Sequence, residues 1–598
     1  MNETIGIIPR AFRRRGVWVA CTLLLRAGLN FLGLAMLLPV LALVLDPGSL
    51  EGGGVLTRAY EGLGFASQRT FALAVCAAVV GVIVLKCLLG LWLARVERTY
   101  IYDLYRTLSR RLLVTYHDRG LPFVKASNSA VLARNVNVVC LAFAAGVLNP
   151  AAAIAAEAML LVLLFGALMW YTPLAALLAL AVFLPSIWLY YGLVRNRINR
   201  YGELENKAQR EKARLVAETF RGYADIEINN AFPMMLRQFD RAMDQVIRTR
   251  LRETAIGLLP QTFTEVGLAV GMALLVALSL GDGDGRAQML FGVFAVAALR
   301  LMPSVRNIMT GWTAIKYNRY TIGILRDAAA DCPPAPANPD CRDTPGPRST
   351  SAATVAPGNS GNSGNPAADT ASSPEKLPFR HEIAVRDLRF RFADGGRELF
   401  HGLSLTIRKG ERIGIRGASG AGKTTLFNLL LGLYEPSGGE IAIDGTPLTA
   451  ANRRAWQNRI GYVSQNLFIA DGSFAANVAL GIPAGEVDRE RVMQALRAAQ
   501  LGELVTGLAK GIDTHVGECG CRLSGGQRQR IGIARALYRQ ADVLFFDEAT
   551  SALDSRTEEE INRSIAGLAA RDAGLTLVVI AHRESSLEYC NRIITIGE

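Results

Sequence analysis

Six apolar stretches, at about residues 17–45, 70–93, 138–170, 173–193, 258–280 and 289–308, constrain this chain more than any other feature. About 20 consecutive apolar residues are what a helix needs to cross roughly 30 Å of hydrocarbon. In lipid no water satisfies exposed backbone groups, so such stretches must be helices, and six of them predict one membrane bundle. A hydrophobic content of 51% agrees, being high for a soluble chain. The first stretch, roughly 29 residues, is too long for the core of a signal peptide and is read as the first span.

Charge sets the orientation. Residues 10–15, 95–134 and 195–252 are rich in Arg and Lys, whereas residues 46–69, 171–172 and 281–286 carry only Arg58, Arg69 and Arg286. By the positive-inside rule both termini face the cytoplasm, and the charged stretches continue the helices beyond the bilayer. The same bias explains the formal charge of +13 without nucleic acid, for which no base-stacking or groove-reading module is present. The outer segment 48–67, with Val55, Leu56, Tyr60, Leu63 and Phe65, reads equally as a short interfacial amphipathic helix or as a partly ordered loop. Nine scattered cysteines make no disulfide framework. The pair Cys519-x-Cys521 lacks the partner spacing of a zinc site, which leaves two ordinary cysteines as the simplest reading.

The composition then changes abruptly. A Pro-, Gly-, Ser- and Asn-rich tract reads as a flexible linker, because it cannot bury enough apolar surface to offset its ordering entropy. The expected organisation is a membrane domain over residues 1–327, a linker over 328–378 and a second domain over 379–598. That last domain alternates strands and helices, and it contains Gly417-Ala418-Ser419-Gly420-Ala421-Gly422-Lys423-Thr424, a complete P-loop followed by Thr425. Its glycines let backbone N–H groups curl round phosphate oxygens, Lys423 reaches the β- and γ-phosphates, and the Thr424 hydroxyl ligates Mg²⁺. The apolar run Val543-Leu544-Phe545-Phe546 delivers Asp547 and Glu548 at a strand tip, where one carboxylate serves the metal and the next an attacking water.

Leu523-Ser524-Gly525-Gly526-Gln527, ahead of a helix, resembles the signature of the ATP-binding cassette (ABC) family. The resemblance implies an α-helical bundle of six transmembrane helices fused to an α/β nucleotide-binding domain, as in ABC exporter half-transporters. It also implies a homodimer with two composite ATP sites, since Ser524, Gly525, Gly526 and Gln527 would close over ATP held by the partner's P-loop. Other positions follow by the same likeness. Asp547 supports Mg²⁺ and Glu548 is the general base, while Gln465 meets metal and water. His582 contacts the γ-phosphate, and Ser551-Ala552-Leu553-Asp554 lies between cassettes. Phe392 takes the place of the tyrosine that stacks on adenine, with a core phenylalanine as the competing reading. The segment Val516-Gly517-Glu518 is similar to the loop that exporters use to touch the membrane domain. Cassettes usually continue past the strand at 592–596 into a further turn, strand and helix, and the present sequence stops at Glu598.

In the membrane half, residues 128–136, 222–228 and 298–306 resemble bacterial lipid-linked oligosaccharide flippases of the Pgl protein-glycosylation type. That likeness implies an inner-membrane pump moving a polyprenyl-pyrophosphate glycan to the outer leaflet. A pyrophosphate calls for cations in the pathway, and charge inside a span is costly enough to mark function. Lys86, Arg300 and Arg306 are the candidates, with pairing to Glu157 or Glu265, or snorkelling, as the structural alternative. Arg26 is placed to snorkel towards the cytoplasmic headgroups. A peptide, drug or other lipid is the alternative cargo, and an ATP-gated channel is the alternative class.

Overall fold

In the computed structural model the described parts of the six expected apolar stretches lie on long helices, except residues 138–148, which form short α- and π-helical segments ahead of the third; residues 37–45 and 280 lie outside the described residues. The long helices are α1 (Arg10–Ala35), α2 (Gln68–Asp118), α3 (Asn149–Tyr171), α4 (Pro173–Arg221), α5 (Phe232–Ser279) and α6 (Arg286–Tyr317). The structure describes residues 6–36, 62, 68–171, 173–279, 286–330, 376–392, 398–548, 555–571, 574–581, 587–588 and 590–597. The expected outer helix at 48–67 therefore lies outside the described residues except for Gly62, and residues 331–375 of the expected linker lie outside them entirely. The described residues gather into two compact units, residues 1–346 and 347–598.

Among the described residues, three stretches, Phe12–Gly33, Leu73–Asp118 and Ser129–Trp170, are long and apolar enough to cross a bilayer, and α4 carries a shorter apolar run, Ala179–Val194. Only 6% of the most apolar window of α2 is buried by the protein, and Trp170 and Trp188 are 91% and 80% exposed. A helix that presents an apolar surface on nearly every side is solvated by hydrocarbon. Inside the bundle α4 packs on α5 and α6, α3 on α6, and α1 on α2 and α3. Leu301, Met309, Tyr190 and Ile198 form part of the dry centre of this packing.

Helices α2, α4 and α5 run on from their apolar parts into charged ends, as the composition predicts, and short helices Gly120–Ala126 and Tyr223–Ile228 follow α2 and α4. Polar contacts tie these charged ends together. Arg250 Nε donates to Glu205 Oε1 at 2.7 Å, and Arg134 donates to Asn206 at 2.6 Å. Glu205 and Asn206 are buried, so each contact replaces water that would otherwise solvate them. Gly202 of α4 lies so close to the Tyr317 carbonyl at the end of α6 that any Cβ would overlap it.

The second unit begins with an antiparallel sheet of β1 (Glu382–Phe390), β2 (Phe400–Arg408), β4 (Gly438–Ile443) and β5 (Thr446–Pro447), in the order β2-β1-β4-β5. Beside it in sequence come β3 (Arg412–Gly417), β6 (Ile460–Val463), β7 (Val543–Asp547), β8 (Thr576–Ile580) and β9 (Arg592–Ile596), which pair in parallel in the order β6-β7-β8-β3-β9. The continuous apolar run of β7 is buried along its whole length, as a strand covered on both faces requires. Because β3, β6, β7 and β8 point the same way, their carboxyl ends collect the P-loop, the segment after Val463 and the Asp547-Glu548 pair at one edge.

Candidate nucleotide site and membrane cations

The P-loop leaves β3 and opens a helix at Lys423–Leu430 whose N-terminus has no side-chain cap, so its first N–H groups remain for an anion. Gly422, at φ 93°, makes the turn into that helix in a conformation L side chains rarely adopt. Lys423 is buried, and its ammonium donates to the carbonyls of Gly417 at 2.8 Å and Ala418 at 3.0 Å, which holds it against the loop. Ser419, Gly420 and Ala421 lie in the same loop, and Thr425 is the third residue of the helix.

One contact joins this loop to the tip of β7, and a second joins that tip to the segment after β6. Thr424 Oγ1 donates to Asp547 Oδ1 at 3.3 Å, and Gln465 Nε2 donates to Glu548 Oε2 at 2.8 Å. Thr424, Gln465 and Asp547 thus lie with Glu548 at one sheet edge. Burial pushes the Asp547 carboxyl above its ordinary range; the charge of Glu548 adds to this, while hydrogen bonds from Thr424 and Tyr462 and the charge of Lys423 oppose it. Glu548 turns out of the strand with φ 51°, fixed by its N–H on the Ile580 carbonyl at 3.0 Å. A non-glycine residue there costs about 1–2 kcal/mol, a strain that places its carboxylate beyond the buried strand.

Tyr462 is the residue that motif reading passes over. Its hydroxyl bonds Asp547, and burial together with that carboxylate pushes the phenol up. The signal was the strand pairing Tyr462 opposite Phe545, which sets β6 beside the Asp547 strand and is not a sequence motif.

The signature forms the start of the helix Gly525–Tyr538. Ser524 is its N-cap in a full capping box: Gln527 N donates to Ser524 Oγ at 3.2 Å, and Ser524 N donates to Gln527 Oε1 at 2.9 Å. The Gln527 side chain is thereby spent on the cap, while Gly525 and Gly526 leave the helix N-terminus without side chains. Phe392 is 43% exposed and meets Phe390 and Tyr434 edge-on at 5.0 and 6.1 Å, so it presents a free ring face rather than filling the core. His582 and residues 551–554 lie outside the described residues.

The membrane cations divide. Arg26 bonds Glu97 at 2.6 Å, so its charge meets a carboxylate on α2 rather than the headgroups alone. Lys86 is half-buried and lies over Gly33 of α1. Arg306 is half-buried on α6 and Arg300 lies in the same helix, its side chain outside the described residues. Glu157 of α3 accepts from Ser304 at 2.7 Å and Asn307 at 3.0 Å, and Glu265 accepts from Gln261. Among the described side chains, both glutamates accept hydrogen bonds from neutral groups.

A parallel-sheet ATPase with a P-loop and a capped signature helix, fused to a bundle of apolar helices, is the architecture of a membrane pump. The sequence profile described as ABC transporter matches residues 400–551. An ATP-dependent lipid A-core flippase of Burkholderia pseudomallei is 29% identical over 549 residues, covering 90% of this chain and 84% of that protein. A second, of Ralstonia nicotianae, is 30% identical over 438 residues, covering 72% and 67%. A bacterial Atm1-family ABC exporter solved with ATP bound superimposes with a TM-score of 0.72 at 22% identity, covering 98% of this chain and 94% of that one. The chain belongs to the ABC transporter family as an exporter half-transporter, binding ATP and coupling its hydrolysis to transport.

Proposed function

We propose that this exporter is an ATP-driven flippase that moves an anionic lipid from the cytoplasmic to the outer leaflet of the bacterial inner membrane, with both termini cytoplasmic. The observation that carries the reading is the alignment with lipid flippases over 90% of the chain, membrane domain included. Half-buried Lys86 and Arg306 in apolar helices support an anionic cargo, because a cation in a span costs about 2.5–3.5 kcal/mol unless it is used or paired. The finer reading of the cargo is a polyprenyl-pyrophosphate glycan, from the likeness of residues 128–136, 222–228 and 298–306; a lipid A-core substrate, as named for the relatives, is the competing cargo.

Two chains form two composite sites, each with the P-loop of one and Ser524, Gly525, Gly526 and Gln527 of the other. The hard oxygen donors of Thr424, Asp547 and Gln465 suit Mg²⁺. Held there with ATP, such an ion would supply charge neutralisation at the phosphates. Lys423 leaves the Gly417 and Ala418 carbonyls for phosphate oxygens. Gln465 orients the water, Glu548 accepts its proton, His582 holds the γ-phosphate and Phe392 stacks on adenine. Transport follows if ATP binds more tightly to the closed cassette pair than to the open one.

Proteoliposomes loaded with a fluorescent lipid-linked oligosaccharide, a lipid A-core lipid or a neutral phospholipid test the reading. ATP-dependent loss of signal from the leaflet on the cassette side for an anionic lipid supports it, and Lys86→Ala with Arg306→Ala then slows that lipid more than the neutral one. ATP turnover with no lipid moved, or an ATP-dependent ionic current in its place, overturns it.

A further inference from the structure

Of the two cysteines ahead of the signature, Cys519 takes a left-handed backbone that its residue type does not suggest, while Cys521 is right-handed. Cys519 (φ 52°, ψ 18°) and Gly520 (φ 69°) are the central residues of a turn closed by the Cys521 N–H on the Glu518 carbonyl at 3.1 Å. Positive φ at both central positions is the type I′ pattern, which Gly, Asn and Asp dominate. A cysteine in the first of them is strained, and strain held by a residue with its own chemistry points from geometry to function.

Both thiols are exposed, and nothing in the nucleotide chemistry uses them. Consecutive Cα atoms stand about 3.8 Å apart, so residues two apart in a tight turn fall well below roughly 7.6 Å, within reach of the 4.4–6.8 Å that a disulfide spans. The aliphatic part of the Arg528 side chain packs over Gly520, and Arg522 is exposed next to Cys521 in sequence. The turn is also wired to the signature. The Cys521 sulfur covers Gly517, where a Cβ would stand 2.7 Å from it, and Leu523 N bonds the Gly520 carbonyl at 3.0 Å immediately before the Ser524 cap.

We propose that Cys519 and Cys521 are an oxidant-responsive modification site, in which a hydroperoxide joins them in a disulfide that slows ATP turnover. One thiolate attacks the peroxide oxygen, giving a sulfenic acid and releasing an alcohol or water. The second thiol then displaces hydroxide from that sulfur, so one disulfide and one water form as the peroxide is reduced. Drawing the Cys521 sulfur towards Cys519 uncovers Gly517 and pulls on the Gly520 carbonyl that anchors Leu523. The Ser524 cap shifts with it.

The test uses the full-length protein in liposomes, treated with hydrogen peroxide and then dithiothreitol. Two readouts are taken: ATP turnover, and the mass of the peptide containing residues 519–521. The expected result is a peptide two hydrogens lighter and turnover lowered at least about threefold, both reversed by dithiothreitol. Cys519→Asn, which suits positive φ, and Cys521→Ser keep basal turnover and resist peroxide. The proposal falls if the peptide stays in the thiol form, if it bridges while turnover holds, or if both variants lose turnover as the native chain does. The mass readout needs no transport, so a protein that moves no lipid still tests the thiol site.

Discussion

At the scale of single residues, the nucleotide site shows why some chemistry is legible and some is not. Phosphate binding dictates residue types at fixed spacing along one loop, so the stretch from Gly417 to Thr425 declares itself. The tip of β7 is nearly as plain, because a wholly apolar strand ending in two acids has few other uses. Glu548→Gln keeps the Gln465 contact and the fold but removes the base. ATP turnover of the purified protein is expected to fall by about 10²–10⁴, with binding of a fluorescent ATP analogue retained; turnover at the native rate would remove Glu548 from that role. Tyr462 was not legible, since its bond to Asp547 depends on two strands separated by about eighty residues. Asp444 was not legible either. It accepts from the backbone N–H groups of Arg380, His381 and Glu382, the latter two at 2.8 Å. Burial pushes its carboxyl up, and these three bonds more than offset it, so the carboxyl titrates below its ordinary 3.8. A depressed value stabilises the fold above the unfolded-state pKa, and the contribution is lost as pH falls through the still lower folded one. Asp444→Ala is therefore expected to cost about 2 kcal/mol at pH 7 and progressively less below pH 4, as read by calorimetric melting of the cassette transition. A cost that does not change with pH would assign it to the left-handed backbone at φ 45° and not to the charge.

At the scale of elements, the helices were legible and their partnerships were not. Apolar length points to helices where α1 to α6 stand, because only a helix satisfies its backbone in lipid, and among the described residues three stretches are long and apolar enough to cross a bilayer. Arg26, by contrast, looks from the sequence like a cation reaching for headgroups, and its partner Glu97 stands on another helix 71 positions further along. Nothing local signals that pairing. The Glu97 side chain is 7% exposed, so removing Arg26 strands a buried carboxylate, which typically costs 3–5 kcal/mol. Arg26→Met should therefore lower the melting temperature of the detergent-solubilised protein strongly, whereas Arg26→Met combined with Glu97→Gln recovers most of the loss. If the double variant melts as low as the single one, the pair is not what joins α1 to α2. The contact of Gly202 with the Tyr317 carbonyl has the same character, a requirement imposed by a neighbouring helix on a residue whose own surroundings in sequence are merely polar.

At the scale of the whole molecule, the question is how one P-loop and one signature per chain make a working ATPase. The proposed answer, a homodimer with each site built from both chains, has a consequence that no single-chain site shares. Lys423→Ala disables the P-loop of its chain and Ser524→Arg disables the signature of its chain, so either variant alone forms a dimer with two defective sites. In a mixed dimer, the Lys423→Ala P-loop faces the Ser524→Arg signature, and both defects fall in the same site. The other site then combines a native P-loop with a native signature. Co-expressing the two variants with different affinity tags and purifying through both isolates this dimer, whose ATP turnover is expected to rise at least about tenfold above either homodimer, because each blocked site loses 10² or more. A site built within one chain predicts the opposite, since every chain in the mixture is defective. Turnover of the doubly purified dimer at the homodimer level would therefore exclude composite sites. Recovery would also show whether one intact site supports transport, once the same dimers are placed in the lipid-flipping assay.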